Sequence, residues 1–350
     1  MTSFKTFALR FTAIIVVLLS FSPLYGQKVD KLQQGGNGPL GSEENPMTWE
    51  SGNVNHAKAH YAECMSIPYR LEVINLVPLT QYCVTIGWDT KKSGKHALDF
   101  LTSYDYEGSH GSFGHGALES IDLLLGTSLA GMSPPSQTVQ IPEPDSVGAV
   151  MPGEPTNTFN ALPVADRQFL ILNGTINSIA YTNEDNLTVT DGSSMLQVCF
   201  QANAGQSSVI LAWGGHIASK ETWGDGNSAS AITGSPYHMF LDACVDLAGC
   251  GNMEVQLAAT AVNAPPECDI SGPDPVCDSD QPTYTAVSGD GDEFLWEIIN
   301  NNTGASIVGA DNLQTVDIDP GTPGTFRLKV IVSKTLSGGV LMSMCDTLIT

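Results

Sequence analysis

Apolar side chains recur at every second position through most of this chain. Across residues 81–88, Tyr82, Val84, Ile86 and Trp88 alternate with polar or small residues, the period of a half-buried antiparallel strand. The run at 66–76 precedes it, and Pro78 and Thr80 between the two predict a hairpin. Further runs follow at 169–181, at Leu196, Val198 and Phe200, and at Val209, Leu211 and Trp213. Met239, Leu241, Ala243 and Val245 mark another, as do Val255, Leu257, Ala259 and Ala261. The one helix-like stretch, 116–125, is too short to set the class. Short strands parted by Gly, Asn and Ser turns predict an all-β chain built as an antiparallel β-sandwich.

The alternation resumes at 283–287, 293–299, 315–318 and 325–332, where Phe294, Trp296 and Ile298 share one face and Phe326, Leu328, Val330 and Val332 another. A tryptophan on an inner strand between two candidate disulfide cysteines predicts a smaller immunoglobulin-like sandwich. The expected organisation follows. Residues 1–26 form a signal peptide: Lys5 and Arg10 precede a short apolar run, and Gly26 suits cleavage before Gln27. Residues 27–46 form a flexible leader. Residues 47–264 are the first sandwich, with a Pro-rich excursion at 126–165 where regular sheet is unexpected because proline removes ladder donors. A hinge at 264–267 leads to the second module, 265–350. Its final run, 345–350, ends inside a strand, which predicts a truncated module.

Charge narrows the partners. Lys and Arg total 14 against 37 Asp and Glu, a net charge of −23. Such a field repels phosphate backbones and anionic headgroups, so nucleic acid is not an expected partner. After signal cleavage no integral membrane span is expected. Eight cysteines in an exported chain predict disulfides. Proximity suggests Cys64 with Cys83, Cys244 with Cys250, and Cys277 with Cys345. Cys199 and Cys268 are left over: either they pair with each other, or Cys268 competes with Cys277 for Cys345.

The segment from Pro266 to Cys277, with Thr283-Tyr-Thr285, Phe294-Leu-Trp296 and Gly324-Thr-Phe-Arg-Leu-Lys-Val330, resembles the PKD-like, immunoglobulin-type repeats of secreted bacterial surface proteins. Such repeats occur in large exported proteins of gliding bacteria, where type IX secretion is common. His60-Tyr-Ala-Glu63, Ser93 to Asp99, Ala212 to Ala218 and Gly234 to Met239 resemble a recurrent, uncharacterised module of the same proteins. The resemblance implies extracellular display, adhesion or spacing. It supplies no catalytic residues, and the chain shows no sorting domain before Thr350.

Candidate chemistry is sparse. His56 and His60 are four apart, and His96, His216 and His238 stand beside Gly or aromatic residues, but no HExxH-type motif occurs. The Gly-rich stretch 108–116 reads as a flexible surface loop. Asp290 and Asp292, two apart in a Gly-rich loop, are a candidate calcium pair; otherwise no cofactor is expected. Trp49 and Trp223, in polar or Gly-rich context, are candidates for stacking on a glycan. The leading expectation is a non-catalytic exported surface protein that engages an extracellular glycan or protein surface. The alternatives are a carbohydrate-binding accessory module and, last, a secreted glycan hydrolase.

Overall fold

A computed structural model describes residues 26–108, 110–115, 119–251 and 253–350; the signal segment expected at the N-terminus lies outside them except for Gly26. In the first module the strands are β1 (Lys28–Gly36), β2 (Thr48–Glu50), β3 (Asn53–Val54), β4 (Tyr61–Ala62), β5 (Ser66–Ile74), β6 (Gln81–Lys92), β7 (Lys95–His96) and β8 (Leu98–Thr102). They continue with β9 (Ser136–Gln140), β10 (Gln168–Leu172), β11 (Gly174–Asn183), β12 (Gly192–Ala202), β13 (Val209–Ile217), β14 (Tyr237–Val245), β15 (Glu254–Leu257) and β16 (Val262–Asn263). Two short helices, α1 (Thr156–Ala161) and α2 (Lys220–Trp223), lie among them.

Two seven-stranded sheets face each other, ordered β2-β1-β5-β13-β10-β9 with β8 on β13, and β11-β12-β6-β14-β15-β3 with β7 on β6. Ile67, Tyr69, Leu71 and Val73 of β5 meet Val84, Ile86 and Trp88 of β6 in one core. The expected hairpin is therefore not formed. β5 and β6 lie in different sheets, and the 75–80 link crosses the sandwich with Asn75 and Leu79 at positive φ.

The leader is also different from expectation. Val29 and Leu32 are buried, and β1 pairs with both β2 and β5. Its polar composition conceals this, because the Gln34 amide nitrogen donates to the carbonyls of Gly52 and Gln256 at 2.7 and 2.6 Å, which offsets the cost of burying its donor half.

Within the Pro-rich excursion, β9 pairs with β10 as an edge strand between Pro135 and Pro142, where sheet was not expected; an edge is where neighbouring prolines are tolerated. The 169–181 run splits at Asn173, whose positive φ lets β10 and β11 enter opposite sheets. The described part of 116–125 forms turns rather than a helix. It covers the outer face of β5, where buried Arg70 donates to the carbonyls of Leu123 and Leu125 at 2.7 and 2.8 Å. Glu72 accepts from the Ser128 N–H at 2.6 Å.

The second module comprises β17 (Asp269–Ser271), β18 (Thr283–Val287), β19 (Glu293–Ile299), β20 (Ser306–Val308), β21 (Thr315–Asp319), β22 (Phe326–Leu336) and β23 (Gly339–Ile349). Its sheets are β17-β18-β21-β20 and β19-β22-β23. Read in chain order as A to G, these are the ABED and CFG sheets of a constant-type immunoglobulin sandwich. Trp296 fills its core, 1% exposed, with its indole N–H donating to Leu313 O at 2.8 Å.

The disulfides run Cys83–Cys199, Cys244–Cys250 and Cys268–Cys345. Cys64 and Cys277 are free thiols, so the expected Cys64–Cys83 and Cys277–Cys345 bridges are not made. Cys83 sits directly opposite Cys199 in the β6–β12 register, a partner brought near by sheet order rather than by sequence proximity. Cys268 is the residue that meets Cys345.

The two modules are joined by more than the hinge. β16 pairs in parallel with β4 just before it. The tip of the β22–β23 hairpin reaches back to the first module, where Leu341, fully buried, belongs to that module's core with Leu336 packed against it. A Cβ on Gly41 would collide with the Gly338 carbonyl, and one on Gly339 would meet the Leu40 side chain.

Candidate metal centre

The sequence just before β4 places His60 where it cannot reach solvent: the residue is 2% exposed. Asn37, at the end of β1, fixes its backbone from both sides. The His60 N–H donates to Asn37 Oδ1 at 2.9 Å, and Asn37 Nδ2 donates to the His60 carbonyl at 3.0 Å. The ring is fixed as well. Its Nδ1 lies 2.8 Å from the Gly38 carbonyl. A carbonyl only accepts, so Nδ1 carries a proton, and in the neutral ring Nε2 then presents its lone pair.

Asn37 Nδ2 approaches Nε2 at 3.5 Å, and three further side chains gather on the same side. His115 Nε2 lies 3.0 Å away. Glu119 Oε1 stands 3.6 Å from His60 Nε2 and 3.8 Å from His115 Nε2. Glu43 offers a carboxylate oxygen within 4.8 Å of one ring nitrogen of each histidine; hydrogen bonds from its own backbone N–H and that of Gly41 hold its pKa below the usual value against the opposing effect of burial. Phe113, in the 3₁₀ turn His110–Phe113, packs edge-on to His60 at 4.9 Å between ring centroids. His60 and Glu119 are buried, His115 is partly open and Glu43 is exposed.

Two imidazoles and two carboxylates form the donor set that borderline metals such as zinc take. On the side of Glu119 facing Met47, Tyr61 and Tyr106 lies a cavity of about 20 Å³, room for a water.

The other histidines go elsewhere. His216 Nδ1 lies 3.2 Å from Asp99 Oδ2, and the Trp223 indole N–H donates to Asp99 Oδ1 at 2.7 Å. Burial raises the Asp99 pKa, with the His216 and Trp223 hydrogen bonds opposing. His96 stacks on Trp223 with centroids 3.5 Å apart, and burial followed by the Lys91 charge pushes its pKa down to about 3. His238 Nδ1 pairs with Asp89 Oδ2 at 2.8 Å. His56 is exposed while His60 is buried, so the two share no face.

The remaining sequence candidates are placed differently from expectation. Trp223 is 4% exposed and covered by His96, so it offers no face to a sugar. Trp49 is half-buried, its ring under the Arg70 guanidinium at 4.3 Å and its N–H on the Asp122 carbonyl. Asp290 is taken by Lys334 at 2.8 Å, and Asp292 accepts from the Thr335 N–H at 2.8 Å. An ammonium thus stands where the calcium expectation needs a cation.

A cleft of about 570 Å³ opens between the modules, lined by Glu63, Cys64, Glu221, Asp225 and Glu267 with Lys220 among them. Glu63 is committed within the fold, accepting from the Lys220 N–H and the Ser230 hydroxyl. Burial pushes the Cys64 thiol pKa up to about 11, which keeps it a poor nucleophile.

His115 and Glu119 escaped the sequence reading because they lie in and just beyond a Gly-rich loop. Their i, i+4 spacing was the available signal. No protein-family model matches the chain, and no curated protein is significantly similar to it.

Proposed function

We propose that this chain is a non-catalytic, exported surface protein whose two β-sandwiches act as one rigid spacer for display or adhesion. The single observation that carries the reading is the hairpin tip. Leu341 of the second module is buried in the core of the first, so the modules cannot swing freely without exposing it. Three disulfides support an oxidising compartment. No helix among the described residues is long and apolar enough to cross a membrane. With Trp223 buried and Trp49 under Arg70, the glycan-stacking alternative loses its two aromatic faces, which leaves a protein surface as the favoured partner class.

Two measurements test the reading. Small-angle scattering of the mature chain should fit a single fixed arrangement of modules, and protease added to intact cells should reach it. Scattering that requires an ensemble of hinge angles, or full protection from external protease, defeats the proposal.

A further inference from the structure

We infer that His60, His115 and Glu119, completed by Glu43, bind one zinc-class divalent ion, and that this ion fastens the seat on which the second module's hairpin rests. The ion site stands on ligand geometry alone; its consequence for the joint rests on the rigid-spacer reading.

The spacing of the ligand atoms matches a metal's coordination shell. Zinc holds imidazole nitrogen and carboxylate oxygen at about 2.0–2.2 Å in a tetrahedron, which puts neighbouring ligand atoms about 3.3 Å apart. The three separations here are 3.0, 3.6 and 3.8 Å. At 3.6 and 3.8 Å the Glu119 oxygen is too far from either nitrogen for a hydrogen bond, yet it stands where a corner of a shared coordination shell belongs. The Nδ1 contact of His60 with the Gly38 carbonyl is the outer hydrogen bond that metal-bound histidines make, fixing tautomer and ring direction.

The fourth corner falls to Glu43, an exposed side chain on the same loop as Gly41. Four protein ligands make a closed, structural site rather than a catalytic one. Imidazole donors favour zinc over calcium, which takes oxygen ligands.

The ligands come from three places: the loop after β1, the approach to β4, and the pair His115 and Glu119. Residues next to the first and third also touch the hairpin. Gly41 abuts Gly338, and a Cβ on Gly114 would meet the Met342 methyl. An ion joining these segments holds the hairpin's seat in shape.

The test is calorimetric titration of the chelator-treated mature chain with zinc chloride alone, followed by hydrogen exchange with and without zinc. One equivalent should bind, the unfolding midpoint should rise by about 5 °C or more at a hundred-fold excess over the dissociation constant, and exchange should slow at 38–44 and 336–342. His115→Ala and Glu119→Gln should each weaken binding at least ten-fold, while His238→Asn should not. His115 is partly exposed, so its variant keeps the test valid if a His60 substitution fails to fold. No stoichiometric binding, binding indifferent to His115 and Glu119, or preference for calcium overturns the ion site. Binding without slowed exchange at the hairpin overturns its role in the joint. Zinc binding to a chain whose scattering shows free hinge motion overturns the spacer reading while leaving the ion site standing.

Discussion

Acid should destabilise this protein through His96. The ring is 4% exposed, stacked on Trp223 with planes 5° apart, and Lys91 is its register partner across the β6–β7 hairpin. Burial first and the Lys91 charge second lower its pKa from 6.5 to about 3. The folded protein therefore refuses a proton that the unfolded chain accepts. Stability from this group is complete above pH 6.5 and is lost as pH falls towards 3. At pH 4.5 the unfolded chain binds the proton about 100-fold more readily than not, which amounts to a loss of about 2–3 kcal/mol. Asp99, tied to the same Trp223, works in the opposite direction, because burial raises its pKa and its protonation at low pH favours the fold. The two must be separated by difference. Urea unfolding at pH 7.5 and 4.5 should be compared between the native chain and His96→Phe, which keeps an aromatic ring on Trp223 but cannot take a proton. The native chain should lose about 2–3 kcal/mol more than the variant between the two pH values. Equal losses, within about 0.5 kcal/mol, would refute the claim that a buried neutral imidazole sits there.

Leu341→Ala should cost about 3 kcal/mol and, because the residue belongs to the first module's core, should split calorimetric unfolding into two resolved transitions. Brief maleimide labelling of the native chain should modify exposed Cys277 and spare Cys64, whose thiol titrates only at about 11; non-reducing peptide maps should return the three bridges seen here. Replacing Cys268 and Cys345 together by serine opens a 77-residue loop and should destabilise the second module by about 4 kcal/mol in the chain-entropy model. Millimolar calcium should leave the unfolding midpoint unchanged, since Lys334 already neutralises Asp290; a rise abolished by Asp290→Asn would contradict that.

The sandwich class was legible because period-two alternation survives wherever a strand keeps one wet face. In the second module the predicted runs 283–287 and 293–299 coincide with β18 and β19, where Thr283, Thr285, Glu293 and Glu297 keep the outward face polar. In the first module the same rule located strands but not their neighbours. β5 and β13 are buried on both faces, so alternation no longer says which face meets which sheet. A loop such as 75–80 carries turn residues whether it closes a hairpin or crosses to the opposite sheet. The leader failed for a related reason: an amide reads as polar in sequence, yet Gln34 finds a carbonyl 222 residues away. Sheet order also decided the cysteines, bringing Cys199 opposite Cys83 across 116 residues where proximity favoured Cys64.

The candidate site was less legible than the fold, and the histidines show why. Four of them carry the same residue-level signal, a histidine beside Gly, aromatic or small residues, and four different environments result. Asp89 meets His238, Asp99 meets His216, and a tryptophan face covers His96; these histidines stack on an aromatic ring or pair with an acid. His60 differs only because a residue 55 positions later puts a second Nε2 at 3.0 Å and Glu119 follows four residues after that. Metal affinity depends on how many ligand atoms converge on one point, a property of loop placement rather than of residue type. Loop placement at this site depends in turn on Gly41 and Gly114 lying under a hairpin from the other module, which couples the candidate centre to the joint between the sandwiches.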